Sequence, residues 1–168
     1  DMFLKKAPEA ISDPRLRAAG MDEVLLKMRG ILLLRRFLAT HSQDPLAPDA
    51  ALNLVTAYLS LEDYERASAL AGEMSALYTD PEYADSFGYS RAVSEWYLGN
   101  DSAAMELLET IATAEYTEAD GSTHASQNRD LALYILAQIH HARQAVEDAQ
   151  PVRHQARILA LPKRRGGA

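Results

Sequence analysis

Leu61-Glu62-Asp63-Tyr64-Glu65-Arg66-Ala67 and Leu98-Gly99-Asn100-Asp101-Ser102-Ala103-Ala104 are two versions of one helix–helix turn, set 37 residues apart. In each, a leucine closes one apolar-periodic run, polar turn-forming residues follow, and a small alanine stands early in the next run. Ala67 and Ala104 occupy equivalent places, where two helices must cross closely. Ala71 and Met74 follow Ala67 at +4 and +7, and Leu108 and Ile111 follow Ala104 at the same spacing. Each set is a one-sided apolar stripe with helical period. Two turns with two matching stripes predict stacked helix pairs.

The rest of the chain agrees on class. Its 168 residues are 48% hydrophobic and 24% charged, enough for one domain with a real core. There are 29 Ala and 23 Leu against 5 Val and 6 Ile, a balance that favours helix over strand. Prolines at 8, 14, 45, 48, 81, 151 and 162 leave uninterrupted stretches of 15–44, 49–80 and 82–150. Proline inside a helix costs about 3 kcal/mol, so these positions mark helix boundaries. The expected class is all-α, with about seven or eight helices.

Working along the chain, Asp13-Pro14 and Asp80-Pro81 each pair an N-cap with a proline at the first helical position. A short segment ends at Gly20. A long helix is predicted from Asp22 to Thr40, with Val24, Leu25, Met28, Leu32 and Leu38 on one side. Further helices are predicted at Asp49–Leu59, Tyr64–Tyr78, Pro81–Leu98 and Ser102–Thr117. Residues 118–127 read as an extended polar loop. Helix resumes near Asn128 to about Arg143, and one more is expected beyond Pro151, to about Leu161.

With this repeat in place the chain resembles a tetratricopeptide-repeat (TPR) protein, whose unit is a helix–turn–helix of about 34 residues. The fuller unit covers about residues 48–81, where Leu54, Val55, Tyr58, Tyr64, Ala67 and Pro81 match the family's pattern. A second, about 85–117, keeps Ala92, Gly99, Ala104 and Leu108 but has Arg91 and Glu95 where the family places a large apolar residue and a tyrosine. A third is drawn over 128–161 from Leu131, Leu133, Leu136 and Ala137, with Ala149 as its crossing residue. Residues 14–44 form atypical leading helices, 1–13 an N-terminal extension and 162–168 a basic disordered tail. The connection from Phe37 to Ala50 is similar to those of bacterial cell-envelope TPR proteins.

The resemblance implies a single right-handed superhelix over 14–161, because a lone helix pair cannot bury its stripe and neighbours must stack. It also implies a concave groove lined by the first helix of each pair. The groove candidates are Asn53, Thr56 and Ser60 from the first unit, Tyr89, Val93, Trp96 and Tyr97 from the second, and Tyr134, Gln138 and His141 from the third. Trp96 and Tyr97 stand out, since neighbours on a helix cannot both be buried by one face, and aromatics supply large contact area at low entropy cost. The groove positions at which some TPR domains hold a partner's terminal carboxylate carry no lysine. They are Leu52 and Thr56, Tyr89 and Val93, and Tyr134 and Gln138. A clamp of that kind is not expected.

Charge narrows the partners. Residues 44–130 hold 17 acidic and 3 basic groups, while residues 1–43 and 131–168 are net basic, giving −7 in all. An acidic middle repels phosphate backbones, so nucleic acid is not an expected partner; the acidic faces read first as keeping the domain soluble, with a cationic protein or peptide, or a second copy of the chain, as the partners they would otherwise suit. No apolar run approaches the length of a membrane span, and Ile31 to Leu34 is stopped by Arg35 and Arg36, so no transmembrane segment is expected, and a cytoplasmic or a periplasmic or cell-envelope setting would suit such a chain.

With no cysteine there is no disulfide, zinc-thiolate site or thiol nucleophile. No nucleotide-binding or hydrolase motif occurs, and adjacent His140 and His141 point about 100° apart on a helix, too far to share a metal. No cofactor, metal or catalytic residue is expected. The sequence reads as a non-catalytic interaction or scaffold module that binds a peptide or partner domain in its groove. The alternative is a structural spacer of a larger repeat array, or a self-associating assembly protein, with no separate ligand.

Overall fold

The computed structural model describes residues 13–20, 22–117 and 120–159, with the side chains of 16, 17 and 147–159 left out of the description. Seven helices and one hairpin follow in chain order: α1 (Pro14–Ala18), α2 (Glu23–Thr40), α3 (Ala47–Ser60), α4 (Tyr64–Leu77), α5 (Pro81–Tyr97), α6 (Asp101–Thr113), β1 (Glu115–Thr117), β2 (Thr123–Ala125) and α7 (Arg129–Leu159). Each helix from α3 to α7 packs on the one before it, and α3 also packs on α5. The result is a helical bundle arranged like a repeat. Most of the predicted N-terminal extension, and all of the tail, lie outside the described residues.

The helices begin where the sequence places caps. The Asp22 carboxylate accepts from the Leu25 amide at 2.7 Å, Asp63 from the Arg66 amide at 3.3 Å and Asp80 from the Glu82 amide at 3.1 Å. These bonds satisfy amide groups that have no partner within the helix. Helix α3 starts at Ala47, just ahead of its expected start, with Pro48 in the first turn, where its missing N–H is not needed.

The two quoted turns are the same structure. In the first, the amides of Leu61, Glu62 and Asp63 donate to the carbonyls of Ala57, Leu59 and Tyr58. In the second, those of Leu98, Gly99 and Asn100 donate to Ser94, Trp96 and Glu95. The pattern is that of a helix closed by a left-handed residue. That residue is Glu62 in one copy, at φ 58°, and Gly99 in the other, at φ 79°.

Two apolar clusters share helix α5. The first joins α2 through Ile31, α3 through Ala51, Leu54, Val55, Ala57 and Tyr58, and α4 through Ala67, Ala71 and Met74, with Phe87 of α5 at its far side. The second joins Ala92 of α5 to Ala104, Leu108, Ile111 and Ala112 of α6 and to Ala132, Ile135, Leu136 and Ile139 of α7. Ala67 and Ala104 are both fully buried, as the crossing positions require. Among the described residues, helix α5 is the one element that contributes buried residues to both clusters.

Three expectations are corrected. The apolar stripe predicted for α2 mostly faces outward: Val24, Leu25, Met28 and Leu32 are exposed, and only Leu38 of the predicted set packs on the core. The packed side instead presents Leu26, Gly30, Ile31 and Leu34. Helix α2 is apolar around most of its circumference, so periodicity alone does not choose a side. Next, helix α6 stops at Thr113 instead of Thr117, and a hairpin joins the end of the predicted helix to the expected loop, pairing Glu115 with Ala125, Tyr116 with His124 and Thr117 with Thr123. Tyr116, Thr117 and Thr123 favour extended backbone, and Gly121 at φ 85° lets the chain reverse. Third, the unit predicted over 128–161 has no turn: α7 runs unbroken through Pro151. Residues 144–150 contain no glycine and no turn chemistry, so the helix continues.

The paired turns yield a stability test. Glu62 carries a left-handed conformation that costs a residue with a Cβ about 1 kcal/mol, and Gly99 does not bear that cost. Glu62→Gly is expected to stabilise the protein by about 1 kcal/mol and Gly99→Ala to destabilise it by about the same. A Cβ at Gly99 meets nothing within 4 Å, so its effect is conformational alone. Urea denaturation of the two variants checks both signs.

Candidate functional site

Helices α3 and α5 lie side by side and run the same way. The Tyr83 hydroxyl near the start of α5 donates to Asp49 near the start of α3 at 3.0 Å. Helix α4 runs back between their ends, since its Ser68 hydroxyl bonds the Glu95 carboxylate near the end of α5. Glu95 also accepts from the Asn100 side chain at 2.7 Å. These donors, Ser68 first and then Asn100, hold its carboxyl below the ordinary range. The glutamate found where the resemblance expects a tyrosine therefore ties α4, α5 and the following turn together.

The predicted groove residues take several different places. On α3, Asn53 is half-buried and Thr56 and Ser60 are exposed. Both hydroxyls turn back to their own helix, Thr56 to the Leu52 carbonyl at 2.9 Å and Ser60 to that of Ala57 at 2.8 Å. On α5, Tyr89, Val93 and Trp96 are half-buried and pack against the second apolar cluster. Burial first, and then the Tyr97 side chain, raises the Tyr89 hydroxyl above its ordinary pKa. On α7, Tyr134 and His141 are exposed and Gln138 is half-buried, on a helix that packs against α6.

Trp96 and Tyr97 are brought together with a residue the sequence reading did not place beside them. Tyr97 is 58% exposed and stacks on Tyr64 of α4, with ring centroids 4.6 Å apart and planes within 7°. Trp96 leans on Tyr97 at 5.3 Å and 41°. Burial, followed by the Glu62 carboxylate, raises the Tyr64 hydroxyl. Exposed Glu62 and Glu65 flank Tyr64 in the chain. The end of α5 thus presents parallel aromatic rings in acidic surroundings, a surface suited to an arginine or lysine side chain.

A second polar centre was missed entirely. Asp85, buried within α5, accepts from the Tyr116 hydroxyl at 2.9 Å, the Ser126 hydroxyl at 2.8 Å and the Asn128 amide at 2.7 Å. Three neutral donors satisfy a buried carboxylate that has no cation, and they fix the hairpin and the start of α7 to α5. A cleft of about 240 Å3 opens beside it, lined by Asp80, Glu82, Tyr116, His124 and Gln127 among others. The Asp85 partners lie 31 to 43 residues away, beyond any local pattern. The available signal was an aspartate seven residues before Ala92, on the buried side of the helix. Among the described residues, no group of three or more His, Asp or Glu is arranged to hold a metal. No described helix is long and apolar enough to cross a membrane.

Compared with known proteins, the chain matches no family model, no curated protein and no solved structure.

The Asp85 centre predicts an alkaline transition. Burial first, and then the hydrogen bond to Asp85, push Tyr116 from 10.0 to about 12. The folded form therefore holds this proton more tightly than the unfolded chain does. Its contribution to stability is whole below pH 10.0 and is lost as pH rises through about 12. Ultraviolet titration is expected to show one tyrosine ionising near 12. Tyr116→Phe should remove that step and flatten the fall of stability with pH over the same window.

Proposed function

We propose that the chain is a non-catalytic interaction module of the tetratricopeptide kind, and that it takes a basic peptide segment along the face of α3 and α5. The observation that carries this reading is the stack of half-buried Tyr64 on exposed Tyr97, continued by half-buried Trp96, at the end of α5. Support comes from the repeated turn, the side-by-side first helices and the buried crossing alanines, which are the features of a stacked-pair array. The acidic stretch 44–130 supplies the charge that draws a cationic segment in. Binding energy in such a site comes mostly from a few aromatic anchors, with the contacts around them contributing little.

A second reading, the structural spacer, draws support from exposed apolar side chains on the first and last long helices. Val24, Met28 and Leu32 lie on α2, and Leu131, Leu133 and Tyr134 on α7. In a longer array such surfaces would meet further repeats.

Trp96 is the only tryptophan, so its fluorescence reports directly on the site. Titration with short arginine- and lysine-rich peptides is expected to give a saturable change that weakens with added salt, whereas acidic peptides give none. Tyr97→Ala should weaken binding at least tenfold while leaving the melting temperature close to that of the parent. A flat Trp96 signal with every basic peptide, or equal binding by Tyr97→Ala, would overturn the groove reading.

A further inference from the structure

The groove reading does not use the outward face of α2. Successive residues on a helix advance by about 100°, which places Val24, Met28, Leu32, Leu25 and Leu33 on one half of α2. The opposite half packs on the core through Leu26, Gly30, Ile31, Leu34 and Leu38. Leu32, at 64% exposure, stands at the centre of the outward half. Arg29, Arg35 and Arg36 rise from this same half, all exposed. Of the nearby carboxylates, Glu23 pairs with Lys27 at 2.7 Å, Asp63 pairs with Arg66 at 2.8 Å and Asp22 caps the helix, while Glu73 lines a cleft with Arg35 without an ion pair to it. Among the described residues, none of the three arginines has an ion-pair partner. A groove of about 390 Å3 runs beside them, between α2 and the start of α4, lined by Val24, Met28, Leu32, Tyr58, Leu61 and Arg66 among others. This is an apolar face with three uncompensated positive charges, and its occupant must supply apolar surface and carboxylates.

We infer that the occupant is a second copy of this chain, whose stacked Tyr64 and Tyr97 take the α2 arginines, so that copies join head to tail. The inference rests on reading that aromatic face as a site for basic segments, and it names the segment. The chemistry of both halves is on one chain. Guanidinium planes stack on tyrosine faces, and Glu62 and Glu65 stand beside the rings to pair with the charge. The start of α4 separates the two faces: Asp63 and Arg66 line the α2 groove, while Tyr64 stacks toward α5. When each copy uses its two patches on two different neighbours the contact is heterologous and propagates as a ring or a chain, whereas a two-fold dimer that exchanges both patches at once would stop at two copies. Pairing α2 with the same face of another α2 would set arginines against arginines. An anionic membrane or a nucleic acid could engage the three arginines, but residues 44–130, at net −14, would be repelled from it.

Sedimentation velocity over a wide concentration range, at low and high salt, tests this on the whole chain. Mass is expected to climb past the dimer at low salt and to fall back at high salt. The triple variant Arg29→Glu, Arg35→Glu, Arg36→Glu loses only the α2 face, and Tyr97→Ala weakens only the aromatic face. Each should be monomeric alone, with unchanged circular dichroism and melting. Mixed, they should form a one-to-one complex that grows no further, because each retains the face the other lacks. A chain that stays monomeric, an assembly indifferent to salt or to the triple variant, or variants that fail to complement would overturn the inference. If any of these occurs while Trp96 still reports a basic peptide, the head-to-tail contact fails and the groove reading stands. If Trp96 is silent as well, both fail together.

Discussion

Phe87 and Ala92 face different neighbours from a single helix, and the body of the protein depends on that division. Phe87 closes the cluster built by α2, α3 and α4, while Ala92 opens the one built by α6 and α7. An isolated helix pair buries one stripe on each helix and leaves the rest in water. A helix that buries two sides couples the two clusters, so that each half of the protein packs against the other through α5. Small residues make the coupling close. Ala67, Ala92 and Ala104 are fully buried, and at each of them a larger side chain would force helices apart that are held together by contacts on both sides.

What was legible in the sequence follows from how local each cause is. The two turns could be read because their conformation is set within six residues, by a helix end, a left-handed residue and a cap. The stripes of α4 and α6 could be read because each helix has one apolar side. The orientation of α2 could not be read, since Val24, Met28 and Leu32 form as good a stripe as Leu26, Ile31, Leu34 and Leu38. Only the presence of α3 on one side decides between them. The hairpin escaped because three-residue strands carry almost no periodic signal, and its anchor is Asp85 on another element. The length of α7 escaped because a proline was taken as a boundary although the residues before it offer no turn.

The same distinction applies at the candidate site. Trp96 and Tyr97 were singled out by adjacency alone, and they do meet. Tyr64, read as the family's turn aromatic, completes the stack through tertiary contact. Glu95 stood out as a departure from the TPR pattern. Its bonds to Ser68 and Asn100 give that departure a structural purpose, because they fix the end of α5 on which Tyr97 is displayed. A polar tie beneath an exposed aromatic holds it in place without covering its face. The arrangement favours a binding surface formed in advance, which loses little side-chain entropy when occupied.

Charge is arranged along the chain in a way that bears on what that surface meets. Gathering 17 acidic groups into residues 44–130 makes the middle repel itself, while basic residues collect toward both ends. Mixed charge throughout would keep such a domain dissolved without that self-repulsion, so solubility alone does not explain the segregation. Segregation has a different effect between molecules. It makes like faces avoid one another and unlike faces attract, which sets the orientation of an encounter before any apolar contact forms. The aromatic stack lies on the acidic side of this division and the bare face of α2 on the basic side. On the proposed reading, steering by charge and anchoring by Tyr97 would act at the same place, and a basic helix with an exposed apolar stripe would satisfy both.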